Sequence, residues 1–506
     1  LALEPLLPPN SLRRGNIDRL LAGKAVAVIT GQQCGFLLGP LFTLYKLATA
    51  IATAQHLERN LKIAAVPVFW VQSEDHDFDE IRSAVTPSAD TPPLSLTISV
   101  TDNTPNTLSV KDRLISAETS TAIAQLAAQL PAFADAEKFI ALCAQSYQPG
   151  RSVCDAFREL ISSVSAEFGV VIFDPRDDTA KELHQAVASQ VFLKAVENHQ
   201  QISNLLLERK KTLESQGAVE QVKIRPDSPL CFFHPEGPHS PRFRLKFADN
   251  HYLVPELDLK FSAEELRERL HKDSRCFSSS ALLRPIFQDS IFPTAIYVGG
   301  PAEVNYFAQI NPLYKHFAVE MPVILPRASF LLVDERTKRL LTQLELEAKD
   351  VQCDTPLLLQ KIASKTTQTN PASPNIEKLF STALTEVAEA VLPLQETLRQ
   401  VDKSLDSAFQ RNLSKFTELL TTLKPKLEEA IVKNDSIKAE RVAKLQAFLY
   451  PEGVPQERFY CGAYFLARYG PTLLTRLVNS ISNPLNIRQS TTTETSTGDN
   501  TTEFVL

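Results

Sequence analysis

Residues 25–30, AVAVIT, form a short apolar run rich in β-branched side chains, followed at once by GQQCGFLLGP and then by LFTLYKLATAIATAQHLERN. Strand, glycine-bearing loop and helix, in that order, open a βαβ unit, and no other feature constrains the chain as much. A second run, IAAVPVFWVQ at 63–72, follows after a helix of suitable length and ends in the acidic cluster SEDHDFDE. Both runs are apolar at successive positions, as a parallel strand covered on both faces requires. Further strands are expected at 169–174, 294–298 and 322–326, the first two leading into helical segments. The alternation predicts an α/β fold with a doubly wound parallel sheet.

Two stretches interrupt that frame. Residues near 84–115 are rich in Pro, Thr and Ser with alternating apolar positions, and β-like material recurs within 218–290, so both read as insertions into a core spanning 1–375. From 376 to 449 the pattern becomes helical: Leu384, Val387, Val391, Leu394, Leu398, Val401 and Leu405 recur at threes and fours, continuing through Phe409, Leu413, Phe416, Leu420, Leu423 and Leu427. This is a coiled-coil seam, with a stutter at 405, 409 and 413. Pro425 is expected to kink the helix or divide it into an antiparallel hairpin, and the seam is expected to pair within the chain or across a homodimer. Residues 450–490 are expected to pack back on the core, and the Thr-rich 491–506 to form a mobile tail.

At 506 residues the chain exceeds what one hydrophobic core supports, which fits a large domain plus an elongated element. A net charge of −6 gives no basic surface for a phosphate backbone, so nucleic acid is excluded as a partner. The seven cysteines are scattered and form no C-x-x-C pair, which argues against a disulfide framework and for a reducing cytoplasm. The stretch from Phe36 to Ala54 approaches membrane-span length, but Pro40, Tyr45 and Lys46 interrupt it; it is read as a buried helix, and no membrane contact is expected. The opening LALEPLLPPNSLRRGNIDRL lacks the compact apolar core of a secretory signal.

Only 15 glycines occur, and five of them lie in two short segments: Gly31, Gly35 and Gly39 after the first strand, Gly299 and Gly300 after another. Open α/β sheets bind ligands at the carboxyl ends of their strands, where such residues let backbone approach a substrate and helix amides meet anions. The spacing is neither G-x-G-x-x-G nor a Walker motif. The second constellation is Glu74, Asp75, His76, Asp77, Asp79 and Glu80 at the end of a buried strand. Carboxylates beside one histidine can orient the ring, raise its pKa or bind a metal, and no metal is assigned here. Lys46, Arg284 and Arg327 are the basic groups placed to grip an anion, with Gln32 and Gln33 as neutral donors. Cys34 is read as a small packed residue, and His234 and His239 flank a turn.

The segments VITGQQCGFLLGPLFTLYKLATAI, PVFWVQSEDHDFDEI, RPIFQDSIFPTAIYVGGPAEVNYFAQINPLYKHF, MPVILPRASF and LYPEGVPQER together resemble the bacillithiol-biosynthesis cysteine-adding enzyme family, in the family's order from residue 25 to about 460. The resemblance implies a Rossmann-like core with inserted connecting segments, a carboxy-terminal coiled coil used in dimers, and a ligase joining cysteine to glucosaminyl malate through an amide bond. Cys34 stands where a small residue such as Ala is expected, which argues against a required loop thiol.

A carboxylate is a poor electrophile, so this reaction needs an activated cysteine, and ATP or another nucleotide is the expected cofactor. The attacking amine must be neutral. On this expectation His76, oriented by Asp75 or Asp77 with Glu74 nearby, accepts the amine proton. Gly31, Gln32, Gln33, Gly35, Gly299 and Gly300 cradle an anionic or nucleotide ligand, and Lys46 or Arg327 holds the malate carboxylates or a phosphate. A non-catalytic nucleotide-binding scaffold and a nucleotidyltransferase-like enzyme are the alternatives on the same fold.

Overall fold

The computed structural model describes residues 11–88, 92–101, 105–130, 134–369, 376–434, 436–486 and 501–506. The chain divides into two compact units, one of Leu1–Phe330 with Glu457–Thr501, the other of Leu331–Gln456 with Thr502–Leu506.

The first unit is built on five strands, β1 (Val26–Gln33), β2 (Ala65–Gln72), β3 (Val171–Phe173), β4 (Thr294–Gly299) and β5 (Val323–Pro326). They lie in the order β5-β4-β1-β2-β3, with every neighbouring pair parallel. From β1 the chain steps outward to β2 and β3, then crosses to β4 and steps the other way to β5. The direction of winding therefore reverses between β1 and β4, and a doubly wound sheet opens its ligand crevice at such a point.

Helix α1 (Phe42–His56) follows β1, and helix α2 (Pro301–Phe317) follows β4. Alternate side chains serve two cores. Ala27 and Ile29 of β1, Val68 and Trp70 of β2, and Tyr297 of β4 pack with Ile310 and Leu313 of α2. Val28, Ile296 and Val298 pack with Ala50 and Ala54 of α1. Burial on both faces is why these strands read as continuous apolar runs. The span-like stretch of the sequence is the buried helix expected, with every residue from Thr43 to Ala54 enclosed. No helix among the described residues is long and apolar enough to cross a membrane.

Small antiparallel sheets occupy the interrupting stretches: Ser83–Thr86 with Leu94–Thr97, Cys231–Phe233 between Phe243–Arg244 and Phe277–Ser279, and His251–Val254 between Lys246–Ala248 and Leu259–Phe261. Residues 457–486 return to the first unit, where the Leu41 amide donates to the Tyr460 carbonyl and the Gly462 amide to the Gly39 carbonyl.

The second unit contains helices α3 (Ile376–Val401), α4 (Lys403–Asn434) and α5 (Ser436–Leu449). The Gln395 side-chain amide donates to Asp406 at 2.9 Å across 11 positions of sequence. On a straight helix that separation would span about 16 Å, so the chain turns back on itself. The reversal falls at Asp402, whose carboxylate caps the next helix by accepting the Ser404 amide at 2.7 Å. The expected division at Pro425 is not found: Pro425 stays inside α4, as Pro393 stays inside α3. A proline removes one helical hydrogen bond, and a helix of 32 residues that packs on its neighbours absorbs that loss. Nor does the tail expected at 491–506 hold to its end. Residues 487–500 lie outside the described set, but Thr501–Val505 is a strand, and the Leu506 amide donates to Val333. The β-branched threonines and valine and the phenylalanine of TTEFV suit a strand.

Candidate active site

Lys46 projects from α1 to the carboxyl ends of β1 and β4. Its ammonium donates to the Gly31 carbonyl and to the Gln32 side chain, each at 2.9 Å, and is paired with the Glu303 carboxylate. Glu303 lies in the first turn of α2, where it also accepts the Gly300 amide and the Tyr297 hydroxyl, both at 2.7 Å. Burial alone would raise the Glu303 pKa, but the charge and hydrogen bond of Lys46, then Tyr297 and the Gly300 amide, outweigh it and hold the carboxyl ionised. Arg284, buried beside them, donates to Gln288 at 2.8 Å and Tyr306 at 2.7 Å.

Arg327 follows β5, its guanidinium gripped in bidentate fashion by Glu457, at 2.7 Å on one arm. Its Nε is buried and has no hydrogen-bond partner among the described residues. A Cβ built on Gly300 would stand 3.5 Å from Glu303 Oε2 and 3.9 Å from that Nε and from Lys46 Cε, so the glycine borders a corner lined by both cations and a carboxylate. Phe42 underlies the corner, with Lys46, Arg327 and Arg458 within 6 Å of its ring centre. An orphaned, buried N–H donor beside a glycine at the start of a helix fits one anionic oxygen.

The acidic stretch after β2 forms a second group. Asp75 accepts the amide of His76 at 2.7 Å, the Gln33 side chain at 2.9 Å, and Arg242 at 2.8 Å. Burial opposes ionisation there, yet the Arg242 charge and the hydrogen bonds from the Gln33 side chain and the His76 backbone amide hold its pKa well below the usual carboxylate range. His76 Nδ1 faces Arg242, with Nη2 at 2.7 Å and Nε at 3.0 Å. Burial pulls the Arg242 pKa down to about 10, against the pull of Asp75 and Glu74, and the group remains charged at neutral pH. Beside this ring opens a pocket of about 700 Å³ lined by Asp75, His76, Asp77, Asp79, Arg82 and Arg113 among others.

Several expectations are corrected by this geometry. Asp77 does not orient the His76 ring; it caps the short helix Phe78–Ile81 by accepting the Glu80 amide. Asp75 Oδ1 is 3.6 Å from His76 Nδ1, beyond hydrogen-bond reach, because Arg242 stands in that place. Glu74 points away from the pocket to Ser279 Oγ at 2.7 Å, and burial raises its pKa. Gly31 is a strand residue, not a loop residue: a Cβ there would fall 2.6 Å from the Trp70 carbonyl oxygen. Gly35 and Gly39 pack against each other in an enclosed turn beneath Tyr147, whose hydroxyl accepts the Leu37 amide at 3.0 Å. That turn has no room for a phosphate. Gly299 is a close-packing site too, 3.1 Å from Glu303 Cβ once given a side chain. Cys34 is fully enclosed against Cys154, and His234 and His239 do flank a turn, His239 reaching Asp112 and Asp178.

Gln32, Gln33, Lys46, Gly300, Arg327, Asp75 and His76 therefore share one rim, while Arg242, Arg113 and Glu303 escaped the sequence reading. Glu303 had a signal, the G-x-x-E spacing of a helix start in GGPAEV. Arg242 had none, since it arrives from an insertion 166 positions away.

Residues 8–328 match the family described as Bacillithiol biosynthesis BshC, N-terminal Rossmann-like domain, and residues 330–490 match its C-terminal coiled-coil domain. A protein of Koribacter versatilis named "Putative cysteine ligase BshC" is 33% identical over 92% of this chain and 83% of its own length. Proteins of the same name from Solibacter usitatus and Natranaerobius thermophilus are 30% and 28% identical, over 92% and 93% of this chain and 84% of their own lengths. A parallel sheet followed by paired helices agrees with the order of those two domains, and the chain belongs to the BshC family of bacillithiol biosynthesis.

Proposed function

We propose that this chain is a cysteine ligase that joins L-cysteine to glucosaminyl malate through an amide bond. The names of its relatives support the reaction class. One observation supports the location: adjacent residues of β1 tie the two polar groups together, Gln32 accepting from Lys46 and Gln33 donating to Asp75. The pocket beside His76 would take the amine substrate, its acids suited to an amino sugar and its arginines to carboxylates. The corner at Gly300, Lys46 and Arg327 would hold an anionic oxygen of the activated cysteine or a phosphate of ATP or another nucleotide. A bound nucleotide would supply activation of the cysteine carboxyl. The unsatisfied Arg327 Nε–H would donate to the anion with Lys46 beside it, and enclosure by α1 and residues 457–469 would exclude water.

We also infer that the hairpin pairs with a second copy of the chain. Leu394, Val401, Phe416 and Leu423 remain 54%, 74%, 45% and 51% exposed on α3 and α4, a stripe that a coiled-coil partner would cover.

The decisive experiment supplies purified protein with glucosaminyl malate and either L-cysteine plus ATP or a pre-activated cysteine, and follows the amide product by mass spectrometry. Thiol analysis of cells lacking the gene checks it independently: unchanged bacillithiol with no accumulated glucosaminyl malate would defeat the ligase reading.

A further inference from the structure

The contact between Arg242 and His76 decides what the imidazole can do. A guanidinium offers five N–H groups and no acceptor, so wherever it hydrogen-bonds an imidazole nitrogen, that nitrogen supplies the lone pair. Arg242 places two of its nitrogens on His76 Nδ1, at 2.7 and 3.0 Å. In the neutral ring the single proton then resides on Nε2, which has no partner among the described residues. The ring is 38% exposed and lines the pocket of about 700 Å³, while Arg242 covers its Nδ1 edge.

Arg242 is itself firmly held. Only 7% of it is exposed, its guanidinium stacks over the Phe232 ring at 4.3 Å, and Nη2 is shared with Asp75 at 2.8 Å. Asp75 is in turn fixed by Gln33 and by the His76 amide. The neutral ring's only lone pair is at Nδ1, and the two Arg242 donors already occupy it. A general base in this position would need its lone pair facing the substrate, and the lone pair faces the wrong way.

We propose that Arg242 is a positioning residue that holds His76 in the Nε2–H tautomer, so that His76 meets the substrate as a hydrogen-bond donor to a ligand oxygen and not as the proton acceptor. This rests on the reading of the pocket as the amine-substrate site. The chemical partner it implies is an acceptor oxygen, from a malyl carboxylate or a carbonyl, aligned by Nε2–H while the base lies elsewhere.

The test uses the full chain labelled with ¹⁵N-histidine, with His76→Asn identifying the His76 signals in ring nitrogen–proton correlation spectra. At neutral pH, a pyridine-type Nδ1 and a pyrrole-type Nε2 are expected. Adding glucosaminyl malate is expected to shift the Nε2 signal. Arg242→Met should return the ring to a mixture of tautomers and lower turnover about tenfold or more, the usual cost of losing an orienting partner. Arg242→Lys, which can still donate to Nδ1, should keep the tautomer and recover part of the rate. Nδ1–H or averaged tautomers in the unaltered protein would overturn the proposal, and that measurement stands even if Arg242→Met does not fold. An Nε2–H ring that ignores saturating glucosaminyl malate would overturn the donor role and the pocket assignment together, leaving the tautomer intact.

Discussion

Lys46 and Glu303 form an ion pair across the crevice between β1 and β4, with side chains only 4% and 18% exposed. Removing one partner strands a charge in a low-dielectric site and costs about 3–5 kcal/mol. Lys46→Met should therefore destabilise the protein by that order in urea unfolding. Adding Glu303→Gln should recover part of the loss, because no bare charge is left, while amide formation stays abolished in both variants. A loss below about 1 kcal/mol for Lys46→Met would show that the pair is not enclosed as described.

Gly35→Ala tests whether the enclosed turn touches a ligand. The added Cβ would meet Gly39 Cα at 2.6 Å, a backbone contact that cannot yield cheaply. Overpacking of this kind costs about 1–3 kcal/mol, so a lower melting temperature is expected. KM for both substrates should stay unchanged. A large rise in KM with little loss of stability would restore the turn to the binding site.

Lys181 makes stability depend on alkaline pH. Burial and the Arg176 charge pull its pKa from 10.5 down to about 8. Between these values the unfolded chain holds the proton that the folded one has released, so stability rises as pH goes from about 8 to 10.5 and is lost as pH falls back through 8. The span is worth up to about 3 kcal/mol. Urea titrations across this range should show the slope, and Lys181→Met should flatten it; a wild-type curve that is level or falling would contradict the assignment.

Leu394→Glu combined with Leu423→Glu places charges on the exposed stripe of the hairpin. Sedimentation should then report a monomer where the unaltered chain sediments as a dimer. Equal sedimentation of the two proteins would show that a second copy does not use this face.

The sheet was legible because each strand is buried on both sides, and AVAVIT and PVFWVQ needed no partner to be recognised. Gly300 and Asp75 were legible as strand-end residues, and Lys46 as a basic group on the helix that follows β1. Their working contacts were not. Arg242 and Glu457 reach the rim from an insertion and from beyond the helical arm, and nothing local in sequence encodes a contact across 166 or 130 positions. Glycine clustering also misled in part. It marked tight packing at Gly31, Gly35 and Gly299, since a missing side chain serves crowded backbone as readily as an approaching ligand. At 402 the reversal needed only one capping carboxylate, a weaker signature than the proline that sits unbroken in α4.

Ser329 Oγ donates to Glu457 at 2.9 Å, so the points where the chain leaves and re-enters the first unit are neighbours. In the chain, residues 331–456 are thus inserted between two neighbouring points of the first unit. Simple truncation after Phe330 would discard Tyr460 and Gly462, which close over the turn at Gly39, and so would open the interior. Bridging 330 to 457 with a few flexible residues would keep that cover in place, and would let the sheet unit be assayed without its arm.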